Sequence, residues 1–140
     1  MKSIYIIRHV SGAGGSTLAN QLGVLAFGAN ISTDICSADH FFYNEDGDYC
    51  FDVNRLGEVH KLCKQKFLTA VENKINLIIV DNTNCTESEL NFYLESGREN
   101  GYTVFSLIVE NRNNTKNIHN VPEPTLIKQE QKLKNSLKLR

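Results

Sequence analysis

The stretch RHVSGAGGSTLA (residues 8–19) has residue types and spacing suited to holding an anion. Gly12, Gly14 and Gly15, with Ser11 and Ala13 between and before them, let the backbone wrap its N–H groups around anionic oxygens. Ser16 and Thr17 then open a helix whose positive end faces the same point, and Ser16 falls where a hydroxyl can hold Mg²⁺. Against the pattern G-x-x-x-x-G-K-[ST], two positions depart: His9 stands at the first glycine and Gly15 at the lysine. That lysine normally stabilises charge as a phosphoryl group moves, and loss of such a donor lowers rates ~10²–10³-fold. Backbone cradling of phosphate survives the loss. Gly15 is expected to leave open volume where the lysine stem would lie. His9, a bulky and partly cationic ring, is expected to narrow or re-shape the entrance. The loop alone reads equally well as an ordinary strand-to-helix turn.

Further polar residues recur where apolar runs end. SADHFF (37–42) carries Asp39, IIVDNTN (78–84) carries Asp81, Asn82 and Asn84, and ENRNNTKNIHN (110–120) carries Arg112, Lys116 and His119. Taken singly, each has a plain structural use. Asp39 reads as a helix cap or turn residue, residues 81–84 as a strand-end turn bonding its own backbone, and the cations as solvated loop charges. Cys36 with His40 and His60 with Cys63 have ligand-like spacing, but there is no CxxC pair, which argues against zinc. The four cysteines are widely spaced within apparent regular structure, so reduced thiols are expected.

The elements that must position these residues follow from periodicity. Four short apolar runs, SIYII (3–7), ISTDI (31–35), LIIV (77–80) and TVFSLIV (103–109), alternate with helical patterns. All but the second read as buried strands. Leu56, Val59, Cys63, Phe67 and Ala70 recur at spacings of three and four and share one helix face. Thr86-Glu87-Ser88-Glu89 is a capping box, opening a helix that carries Leu90, Phe92 and Leu94. From Pro124 onward the chain reads as a polar amphipathic helix with lysines near its end. The alternation predicts an α/β fold: a parallel sheet of about four strands, helices on both faces, and ligands outside the strands' carboxyl ends. The 140 residues fit one domain, and the polar run near residue 110 is its expected mobile loop.

With 15 basic and 16 acidic side chains the net charge is −1, so long nucleic acid is an unfavoured partner and any anionic ligand must be held locally. The first apolar run is broken by Arg8 and His9, too short to span a membrane, and no signal-peptide pattern is present. No membrane partner and a cytoplasmic location are the expectations; oligomeric state is open.

In chain order the glycine-rich loop, SADHFF, GDYCFD (47–52), EVHKLC (58–63), IIVDNTN and NIHNVPEPTL (117–126) resemble the polynucleotide-kinase-like group of P-loop kinases, from residue 4 to about 133. The resemblance implies a three-layer P-loop kinase-like fold and a nucleotide ligand, ATP or a nucleotide-derived molecule, with Mg²⁺ as companion. It makes Asp39 the base that takes a proton from an acceptor hydroxyl. It sets Asp81, Asn82 and Asn84 beside the phosphates, with Ser16 and Asp81 on the metal side. Residues 110–121 match a lid, in which Arg112 or Lys116 stands in for the missing lysine. His60 and His119 match family histidines, with a buried ring bonding a carbonyl as the simpler use, and His119 belongs to the phosphate-facing set. Small stand-alone relatives occur in bacteriophages. Two functions follow from the resemblance. The first is binding of a small nucleotide-type ligand with transfer impaired, for sequestration or regulation. The alternative is an active Mg²⁺/ATP-dependent kinase of a nucleoside, an oligonucleotide 5′-hydroxyl or a small hydroxylated molecule. A purely structural module is the third class.

Overall fold

A computed structural model of the chain describes residues 1–114 and 120–139. Four strands, β1 (Ser3–His9), β2 (Thr33–Cys36), β3 (Leu77–Asp81) and β4 (Thr103–Val109), form one sheet in the order β2-β3-β1-β4. Every adjacent pair is parallel, which requires crossovers between strands. Helices α1 (Gly15–Gly28), α2 (Leu56–Glu72) and α3 (Glu87–Glu99) lie in the connections, and α4 (Glu123–Asn135) follows β4.

Side chains along β1 alternate between two cores. Ile4 and Ile6 pack with Ile78, Val80, the α2 residues Val59, Cys63, Phe67 and Ala70, and Tyr93 of α3. Ile7 packs with Ile79 and with Ala19 and Ala26 of α1. The molecule is therefore the expected three layers, with α2 and α3 on one face and α1 on the other. The capping box of α3 is present: Glu89 N donates to Thr86 Oγ1 and Thr86 N donates to Glu89 Oε2. No helix among the described residues is long and apolar enough to cross a membrane.

Three sequence expectations change. TVFSLIV is not buried: β4 is an edge of the sheet, and Phe105 and Ile108 are 42% and 39% exposed. A run apolar on both sides does not say whether a neighbour covers it. The fully buried contacts of α3 are Tyr93 and Gly97, while Leu90, Phe92 and Leu94 pack only partly. Cys50 lies exposed in irregular chain, whereas Cys36, Cys63 and Cys85 are buried; all four are free thiols.

Arg8 and His9, neighbours at the end of β1, leave the strand on opposite faces. Arg8 is buried, and its Nε donates to the Asn84 carbonyl at 2.9 Å, its Nη1 to Ser106 Oγ at 3.4 Å and its Nη2 to Ser136 Oγ. One guanidinium thus ties the chain after β3, the edge strand and the end of α4. Arg8→Leu leaves the buried Asn84 carbonyl and Ser136 hydroxyl short of a donor. It is expected to lower the unfolding free energy by about 2 kcal/mol in urea denaturation; an unchanged midpoint contradicts this tie.

Candidate functional site

β1 and β3 are adjacent, but the connections leaving them run to opposite edges, to β2 and to β4. The crevice outside their carboxyl ends is therefore the topological switch point of the sheet. β1 runs on past the pairing of Ile7 with Asp81, and the His9 amide donates to the Thr83 carbonyl at 3.0 Å. That extension brings His9, Asp81 and the start of α1 together.

The loop between β1 and α1 turns through Gly12 at φ 84° and Gly14 at φ 101°, both left-handed, which L side chains adopt with strain. Ala13 N donates to the Val10 carbonyl at 3.1 Å, and Ser11 N donates to Gln129 Oε1 of α4 at 2.9 Å. Gly14 caps α1 without a side chain, and the first turn of α1 contains no acidic residue. The other three helices each begin with acid: Glu58, Glu87 with Glu89, and Glu123. The amides of Gly15, Ser16 and Thr17 have no acceptor within the helix, and no acidic side chain of its own first turn offsets its positive end. Such a start suits an anionic group.

His9 is the centre of the site. Its Nδ1 lies 3.0 Å from the Val10 carbonyl and its Nε2 3.0 Å from Asp81 Oδ1. Both partners accept, so the ring satisfies both only as the imidazolium, donating from each nitrogen. Burial opposes that charge, but the hydrogen bonds to Asp81 and Val10 and the charges of Asp81 and Asp39 outweigh it, and the His9 pKa is raised. Ser16 Oγ donates to the other oxygen of Asp81 at 3.0 Å. A Cβ on Gly15 would stand 2.2 Å from His9 Nε2 and 2.3 Å from Cδ2. The expectation of open volume at Gly15 is overturned: the imidazole fills the space where any side chain at position 15 must begin. The two departures from the loop pattern are one steric pair.

This arrangement does not fit Mg²⁺ at Ser16 and Asp81. Both carboxylate oxygens of Asp81 are engaged, one by a cationic ring. The described residues also include no group of three or more His, Cys, Asp or Glu side chains able to hold a metal.

Asp39 sits in a short 3-10 turn (Ala38–Phe42) just beyond β2. The turn is fixed by Ala38 N donating to Asn82 Oδ1 at 2.9 Å, while Asn82 Nδ2 donates to Cys63 Sγ at 3.5 Å. The Tyr49 hydroxyl donates to Asp39 Oδ1 at 3.2 Å, and burial together with the Asp39 charge pushes the phenol pKa up, keeping it a donor. Beside them opens a cavity of about 530 Å³ with Ser11, Asp39 and Asn82 as polar lining and Phe42, Tyr49 and Phe51 as an aromatic wall. His60 is exposed and lines this cavity, so the buried, carbonyl-bonding ring expected of it is not found.

Other expected site residues fall elsewhere. Asn84 is buried at φ 45°, its Nδ2 donating to the Ile7 carbonyl at 3.0 Å and its own carbonyl bonded by Arg8, so its groups serve the fold. Arg112 is exposed and paired with Glu110, not a lining residue of the cavity. Lys116 and His119 lie outside the described residues, as does Asn117; of the expected lid, residues 110–114 and 120–121 are described, and Asn120 and Val121 line the cavity. Tyr49 and Gln129 were not legible as site residues. GDYCFD contains Tyr49 but gives no sign that it reaches back to Asp39, and Gln129 is one of many polar positions on α4.

No protein-family model matches the chain. Over 101 residues, 72% of its length, it is 37% identical to human NEDD4-binding protein 2, of which it spans 5%. Among solved structures it is similar to a chain of the Pnkp1/Rnl/Hen1 RNA repair complex, with a TM-score of 0.69 at 14% identity, covering 96% of this chain and 45% of that one. It is also similar to Mycobacterium tuberculosis APS kinase CysC in complex with AMPPNP and APS, with a TM-score of 0.57 at 13% identity over 78% of this chain and 62% of that one. The architecture is a P-loop kinase-like α/β fold.

The His9 pair predicts a pH dependence. Because the folded pKa is raised, its stabilisation is complete below the unfolded imidazole value of about 6.5 and fades as pH rises through the folded value. The gap in denaturation midpoint between the natural chain and His9→Gln is expected to be widest near pH 6 and to shrink toward pH 9. A gap that stays constant across that range contradicts the charged pair.

Proposed function

We propose that the chain binds a small phosphate-bearing ligand of nucleotide type and that phosphoryl transfer by it is impaired. One observation carries the reading: an uncapped, acid-free helix start, reached through two left-handed glycines, stands at the sheet's switch point. The first-turn amides of α1 would hold the phosphates, and the aromatic wall of Phe42, Tyr49 and Phe51 would take a planar ring by stacking. Support for a nucleotide comes from the fold-level likeness to an enzyme solved with AMPPNP and APS. With no ammonium at position 15, a developing phosphoryl charge lacks its usual donor, a deficit of ~10²–10³ in rate. Such a protein sequesters or senses its ligand instead of consuming it.

Residual kinase activity is the second reading, and Asp39 is what favours it. A half-buried carboxylate, aligned by Tyr49 and facing a cavity beside the loop, is suited to accept a proton from a hydroxyl.

A panel of mono-, di-, tri- and cyclic nucleotides, screened by thermal shift, tests binding. A ligand at 100 times its Kd adds ~2.7 kcal/mol, a rise of several degrees. Gly14→Val, strained at φ 101°, is expected to abolish that rise. No shift with any member contradicts the reading. In a labelled-ATP transfer assay the natural chain is expected to transfer little or no label, and Asp39→Asn to remove any residue; rapid turnover contradicts impairment.

A further inference from the structure

The geometry points to His9 and Gly15 as a single coupled exchange: an imidazole from β1 takes the place of the loop lysine, engages the carboxylate that would otherwise attend a divalent cation, and leaves a phosphate site that works without one. This rests on the proposed binding of a phosphate-bearing ligand. In the loop pattern positions 9 and 15 are glycine and lysine, and here bulk has moved from the second position to the first. The two changes compensate in space, because the His9 ring lies within 2.2–2.8 Å of where a Cβ of residue 15 would be. The ring cannot swing aside cheaply. It is held at both nitrogens, by the Val10 carbonyl and Asp81 Oδ1, and is itself buried.

The same ring accounts for the metal misfit. Asp81 is a buried carboxylate at the end of β3, and a buried charge requires a compensating partner. His9 supplies it on one oxygen and the Ser16 hydroxyl satisfies the other, so the carboxylate is neutralised before any ligand arrives. Ser16 is oriented toward Asp81 at the mouth of α1, with its backbone amide left for an anion. His9 is thus a positioning residue: through Asp81 it fixes Ser16, and through its bulk it fixes the glycine at the helix start.

A consequence separates this exchange from simple decay of a kinase loop. Restoring lysine alone must fail, because its Cβ meets the ring; restoring the pair, His9→Gly with Gly15→Lys, rebuilds a loop with an ammonium and frees Asp81 for a cation.

Two measurements on the full chain test it. Without ligand, a thermal-unfolding cycle compares Gly15→Ala in the natural and His9→Gly backgrounds. The added methyl is expected to lower Tm by about 5 °C or more in the first and to be neutral or stabilising in the second. Equal effects in both backgrounds overturn the exchange. With ligand, ADP is titrated by calorimetry in excess Mg²⁺ and in EDTA. The natural chain is expected to bind within about twofold in the two buffers, whereas the His9→Gly/Gly15→Lys chain binds at least tenfold more weakly in EDTA. A tenfold loss in EDTA for the natural chain overturns metal independence. Should ADP bind neither chain, the titration is repeated with whichever nucleotide of the panel raises Tm; if none does, the ligand reading fails and Mn²⁺ titration alone decides the metal arm. No site of sub-millimolar affinity is expected in the natural chain, and such a site removed by Asp81→Asn overturns the inference.

Discussion

One volume beside the start of α1 admits a ring from β1 or a side chain from position 15, and not both. His9 occupies it, so residue 15 is glycine. From that exclusion follow the orientation of Asp81, the hydrogen bond of Ser16 and the absence of a loop ammonium. With this exchange the fold keeps the left-handed glycines and the helix start, which on the proposed reading would hold phosphate, and changes the side chains around them. On the proposed reading, binding and transfer are separable because they draw on different atoms.

The end of β1 organises both faces of the sheet. His9 packs against Gly15 and Asp81 on the side of the glycine-rich loop, while Arg8, one residue earlier, ties the Asn84 turn, β4 and the end of α4 on the other. α4 then returns to the loop, where Gln129 accepts from the Ser11 amide. The glycine-rich segment is therefore held from β1, from β3 and from the C-terminal helix. Held this way, the cradle is formed in advance, so the proposed anion would lose little free energy to ordering it. On the far side of the crevice, Asn82 links the Asp39 turn to β3, so the two halves of the site share one rigid strand end.

Much of the fold was legible in the residues because local rules sufficed. Strand–helix alternation dictates a parallel sheet, the Thr86–Glu89 capping box starts α3, and Val59, Cys63, Phe67 and Ala70 form the buried face of α2. Where reading failed, the missing information was spatial. TVFSLIV has the composition of a central strand but lies at an edge, since nothing in a strand names its outer neighbour. His60 sits beside the deeply buried Val59, yet the helix turns it outward to the cavity. Asn84, set beside the phosphates by the resemblance, supplies its amide to Ile7 and its carbonyl to Arg8. The His9–Gly15 pair was not read from the sequence: both departures stood out, but open volume was expected at Gly15, where the His9 ring in fact lies. That they touch could be known only once β1 ran on two residues past Asp81.

Amide chemical-shift mapping of the ¹⁵N-labelled chain, titrated with ADP and with inorganic pyrophosphate in EDTA, tests the central claim most directly. If the cradle binds phosphate with His9 in the lysine's place, the largest shifts fall on the amides of residues 12–17 and on His9 and Asp81, with Asp39 and Tyr49 responding to ADP alone. Shifts confined to other surfaces, or none in the loop at saturating ligand, contradict the account.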